Sequence, residues 1–181
     1  MRVGTAIRAA GFALLGCLLL LAMLASSRAS AEPAIALRSD AGERYFIEFR
    51  ARPGPFIGHT YVVYGRTDLT GRVLDVHSAG LFPDGNALVG AFLPVVGSVR
   101  HDKNDTKYAP NAVYRKPLSA AEYARVVRFV EMLRARQHEW HLIFQNCNDF
   151  GIMVAEALGL RRPPSLMPPS MWVGLLRALN P

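Results

Sequence analysis

Cys147 and its surroundings, Gln145-Asn146-Cys147-Asn148-Asp149-Phe150, are where this chain could do covalent chemistry. The sequence holds two cysteines, and the other, Cys17, lies in an apolar N-terminal run. A thiol without a disulfide partner is either core filling or a nucleophile. Phe150, Val154, Ala157 and Leu158 follow Cys147 at helical spacing up to Gly159, which puts the sulfur in the first turn of a helix. Unpaired backbone N–H groups and the positive end of the helix dipole favour thiolate there, so a lowered pKa is expected. A thiolate attacks acyl carbon and needs a base beside it. His59 and His77 lie on two runs rich in Val and Tyr, His59–Tyr64 and Arg72–Ser78, joined by a polar link with Gly65 and Gly71 at its ends. Such a pair predicts a hairpin. If it pairs symmetrically about Asp68, Tyr61 faces Asp75 and His59 faces His77, with Cβ atoms roughly 5 Å apart. One ring could then take the thiol proton and the other orient it.

Other elements must position these groups. Tyr45–Arg52 alternates apolar and polar as a half-buried strand and stops at Pro53-Gly54-Pro55. Ala87–Gly97 is an apolar run broken by Gly90 and Pro94, expected to pack on the core, with a substrate wall or membrane-dipping loop as the other reading. Ala112–Lys116 is a further strand candidate. Ser119 and Glu122 have capping-box spacing, and Tyr123, Val126, Val127, Val130 and Leu133 extend the helix they open to about His138. Trp140–Phe144 predicts a short buried strand leading into Cys147, and Met171–Leu179 predicts a last helix with Trp172, Leu175, Leu176 and Leu179 as its apolar stripe.

Arg2 and Arg8, the apolar run Phe12–Ala25 and the small residues Ala29-Ser30-Ala31 have the form of an export signal over residues 1–31, leaving a single domain over residues 32–181. An uncleaved anchor is the alternative. Cleavage would remove Cys17 and three of the 21 basic residues but none of the 14 acidic ones, leaving a net charge of +4. No basic stripe interleaved with aromatics is present, which argues against nucleic-acid binding, whereas an anionic envelope surface would attract the chain weakly.

The hairpin GHTYVVYG and VLDVHS, followed far downstream by FQNCNDF, resembles the permuted papain-like thiol enzymes. That group includes lecithin retinol acyltransferase, the H-rev-type phospholipid acyltransferases and relatives of the NlpC-type cell-wall peptidases. The resemblance covers roughly residues 58–78 and 140–159, and residues 79–114 match nothing in it. It implies an α+β fold in which an antiparallel sheet packs against helices, with Cys147 as nucleophile, His59 as base and His77 as orienter. It further implies an oxyanion hole using the Cys147 N–H, with Gln145 or Asn146 as the second donor.

The expected function is therefore an exported, periplasmic or extracellular cysteine hydrolase or acyltransferase. It would act on an amide or ester through an acyl-enzyme on Cys147, with a cell-wall peptide as first substrate and a lipid ester as alternative. A rival is a non-catalytic envelope binding protein with a structural Cys147. No cofactor is expected, since no Cys and His spacing suggests zinc. Asp102, Asn104 and Asp105 start like a calcium loop, but Lys107 stands where its glycine should be. Asn104-Asp105-Thr106 is a formal glycosylation sequon. Peptidoglycan peptide or lipid, and peripheral membrane contact, complete the expected partners.

Overall fold

Strand alternation in this chain separates two faces cleanly. In β1 (Glu43–Arg52), Tyr45, Ile47, Phe49 and Ala51 enter the main core, while Phe46, Glu48, Arg50 and Arg52 alternate onto the other side. The structure, a computed structural model, describes residues 42–54 and 57–181. The expected export signal and its cleavage site lie outside the described residues.

β1 pairs with β2 (His59–Asp68) and β5 (Ala112–Leu118), and β2 pairs with β3 (Val73–Pro83). β4 (Val95–Arg100) continues from β3, and β6 (His138–Trp140) forms the edge. All pairings are antiparallel, in the order β5-β1-β2-β3-β4-β6. Short helices α1 (Ala87–Gly90) and α2 (Asn104–Lys107) lie in the connections. The longer α3 (Ala120–Arg134), α4 (Cys147–Ala157) and α5 (Pro169–Leu179) supply the helical side of the core. The chain is thus an α+β fold with a six-stranded antiparallel sheet. Among the described residues, no helix is long and apolar enough to cross a membrane.

The helices start and pack as local chemistry dictates. Ser119 caps α3 with both limbs of the capping box, its Oγ accepting from the Glu122 N–H at 3.2 Å and its N–H donating to Glu122 Oε2 at 2.8 Å. On α5, Trp172, Val173 and Leu176 are fully buried. Gly151 on α4 makes room for that indole, since a Cβ there would lie 2.8 Å from the Trp172 ring.

Three expectations change. The hairpin does not turn symmetrically about Asp68: Val62 faces Ala79, and Tyr64, not His59, faces His77. The link folds late because the Asp68 carboxylate accepts from the Thr70 and Arg72 N–H groups and Gly71 takes φ +90°. The strands therefore run on through Gly65, with a register shift between Arg66 and Thr67. Secondly, α3 ends at Arg134 rather than near His138, and His138 opens β6. Thirdly, β6 stops at Trp140, while Phe92 and Phe144, each expected inside, are 78% and 76% exposed. Leu175 is exposed too, and Val173 takes its place in the buried stripe of α5.

Candidate functional site around Cys147 and His59

The start of α4 is built tightly. Asn146 is its N-cap: Asn146 Oδ1 accepts from the Asn148 N–H at 2.8 Å, and the Asn146 N–H donates to Asp149 Oδ2 at 2.8 Å. Asn146 Nδ2 donates to the Leu142 carbonyl at 2.9 Å. Cys147, in the first turn, is the free cysteine of the described residues and is buried.

Asn148, adjoining the thiol, ties three segments together. Its Oδ1 accepts from the Thr60 hydroxyl at 2.6 Å, and its Nδ2 donates to the carbonyls of Ser165 at 2.7 Å and Met167 at 2.9 Å. Thr60, beside His59 on β2, thereby fixes α4 against the sheet and the segment leading into α5. Neither Thr60 nor Asn148 was singled out from the sequence. Their signal was adjacency, since each directly follows a candidate catalytic residue.

Cys147 and His59 line one cavity of about 350 Å³. Its walls include the apolar side chains of Ile57, Leu81, Phe82, Trp140 and Leu142, together with Arg52 and Arg100. His59 shares a face with Tyr61, the two rings nearly parallel with centroids 6.1 Å apart, whereas Thr60 points the other way, toward α4. The His59 ring also packs on Phe82 at 4.2 Å. Its Nε2 is buried without a hydrogen-bond partner and abuts Gly80, where a Cβ would lie 2.6 Å away.

Burial governs the protonation of both groups. It pushes the Cys147 thiol above its ordinary value, against the opposing effect of the neighbouring Thr60 and of the Cys147 and Asn148 backbones. The lowered thiol pKa expected from the helix start is not what this burial produces. Burial, reinforced by the positive charges of Arg52 and Arg100, lowers the His59 pKa to about 3. The resting pair is therefore a neutral thiol and a neutral imidazole. The positive charge of Arg52 is itself held by Asp105, whose carboxylate accepts from Arg52 Nε at 2.8 Å.

His77 stands apart from this cavity. Its Nε2 lies 2.9 Å from Asp75 Oδ2, its ring stacks on Tyr64 at 5.4 Å, and it lines another cavity with Ser78 and His101. The orienting contact from His77 to His59 is absent, because the late turn moves His77 opposite Tyr64. Of the two alternatives for the second oxyanion donor, Asn146 lines the cavity with the polar groups described above already engaged, and Gln145 is not among the lining residues. No family model matches the chain, and no match is found among curated proteins or solved structures.

Proposed function

We propose that this protein is a thiol hydrolase or acyltransferase of the permuted papain-like type, working outside the cytoplasm on an amide or ester, with a cell-wall peptide as the first substrate. One observation carries the reading: Cys147 and His59, whose buried Nε2 has no hydrogen-bond partner, line the same cavity. The chain order, histidine strand before cysteine helix, supports the permuted arrangement.

Because both groups rest neutral, proton transfer accompanies attack rather than preceding it. His59 Nε2 takes the thiol proton as Sγ bonds to the carbonyl carbon, and the Cys147 N–H faces the resulting oxyanion. Return of that proton to the leaving amine or alcohol breaks the scissile bond and leaves a thioester on Cys147. Water, or a second acceptor, then attacks the thioester with His59 again as base. His77 has no part in these steps.

A lipid ester is the second reading, favoured by the apolar walls from Ile57, Leu81, Phe82, Trp140 and Leu142. Turnover of peptidoglycan fragments and of phospholipids, each compared between the native chain and Cys147→Ala, tests the proposal. Turnover of either class that vanishes in Cys147→Ala is expected. Turnover unaffected by that substitution would rule out Cys147 as the nucleophile, and none with either class favours a binding protein with a structural thiol.

A further inference from the structure

Beside the cavity the fold exposes a patch built from two loops. Leu88, Val89, Phe92 and Leu93 come from α1 and the turn after it, and Ile143 and Phe144 from the connection between β6 and α4. The Leu142 N–H donates to the Gly90 carbonyl at 3.0 Å, Val95 pairs with Trp140, and Gly90 lies against the Trp140 ring, so the two loops form one surface. Ala87 and Leu142, which line the cavity of Cys147, belong to the same two segments.

Two features say what covers this surface. Residues 85–99 and 142–148 contain no ionisable side chain other than the buried Cys147 thiol. Backbone donors of the exposed residues Leu88, Phe92, Leu93, Ile143 and Phe144 are also satisfied within the loops. In the first, the N–H of Leu88 donates to Asn86 Oδ1, that of Gly90 to the Asn86 carbonyl, that of Ala91 to Leu88, and those of Phe92 and Leu93 to Val89. In the second, Ile143 and Phe144 donate to His141 Nδ1 and Gln145 donates to the His141 carbonyl. A protein partner is met with a polar rim and hydrogen bonds across the contact, whereas hydrocarbon accepts apolar side chains and requires backbone groups that need no water. The hairpin tip is the contrast: Leu69, Val73 and Leu74 are equally exposed there but interleaved with Asp68, Arg72 and Asp75. The chain's net charge, +7 in full and +4 without residues 1–31, complements anionic headgroups.

We infer that this patch docks on an anionic lipid surface, inserting Phe92, Leu93, Ile143 and Phe144 at the boundary between headgroups and acyl chains. Docking brings the cavity mouth to the lipid surface, and it stands whether or not Cys147 is chemically active.

The test uses the chain purified as the expressing cell leaves it, with vesicles of phosphatidylglycerol and phosphatidylcholine. The indole introduced by Phe92→Trp should be quenched by lipids brominated along the acyl chain. This readout is specific to the loop even if residues 1–31 remain and bind lipid themselves. Partitioning should fall by roughly tenfold or more in Phe92→Ser/Phe144→Ser and stay unchanged in Leu69→Ser/Val73→Ser. An unquenched indole overturns the inference. So does a self-associated protein that Phe92→Ser/Phe144→Ser converts to monomer without any quenching, since a second copy would then be the occupant.

Discussion

Acid should unfold this protein through His59. In the unfolded chain an imidazole titrates at about 6.5, whereas in the folded chain burial beside Arg52 and Arg100 holds it at about 3. Above the unfolded value the ring is neutral in both states and costs nothing. As the pH falls through 6.5 the unfolded chain gains a proton that the folded chain refuses, so stability is lost progressively down to the folded value. That linkage amounts to about 2 kcal/mol near pH 5 and about 4 kcal/mol at pH 3. Urea unfolding at pH 7 and pH 5 of the native chain, His59→Gln and His59→Phe isolates it from the carboxylates, which titrate in all three. The native chain should lose about 2 kcal/mol more than either variant between those conditions. Parallel losses in all three proteins, or a ring resonance of His59 that titrates near 6.5 in the folded state, would rule out a buried, neutral His59 as the acid-sensitive group.

The remaining expectations concern the thiol and its supports. Iodoacetamide alkylation of Cys147 should keep accelerating through pH 8 and above with no plateau below pH 7, because burial raises the thiol pKa; a low-pH plateau would reveal a thiolate–imidazolium pair instead. Gly80→Ala sets a methyl group 2.6 Å from His59 Nε2 and 3.1 Å from the Phe82 ring, so it should displace the imidazole and cost about 1–3 kcal/mol, measured by chemical denaturation. Asn148→Ala strands the Thr60 hydroxyl and the carbonyls of Ser165 and Met167, an expected loss of about 2–4 kcal/mol in the same assay. It should also speed proteolysis between α4 and α5, the segment those carbonyls anchor.

How far the sequence carried depended on whether the deciding interaction was local. Capping of α3 by Ser119 and Glu122, and the opening of α4 at Cys147, follow from side chains within one turn of each other, and the structure has both. The hairpin register depended on which glycine turns the chain. Gly65 and Gly71 look alike in sequence, yet Gly65 sits inside β2 because a Cβ there would fall 2.2 Å from the Asp75 carbonyl oxygen, while Gly71 supplies the positive φ of the turn. That contact crosses strands and has no local signature, so the expected pairing of His59 with His77 failed with it. Apolar runs at Ala87–Gly97 and Trp140–Phe144 read as interior because composition reports what a segment could bury, not whether the fold has a place for it. Of the site itself, Cys147 and His59 were legible by residue type and spacing. Thr60, Asn148 and Gly80 matter through contacts that only the folded sheet creates.

A nucleophilic Cys147 must carry an acyl group during turnover. Intact-protein mass spectrometry after brief mixing with an activated aryl ester reads this directly. The predicted result is one acyl adduct, mapped to Cys147, forming more slowly in His59→Gln and missing in Cys147→Ala. An adduct elsewhere on the chain, or acylation of Cys147 at the same rate without the imidazole, would contradict it.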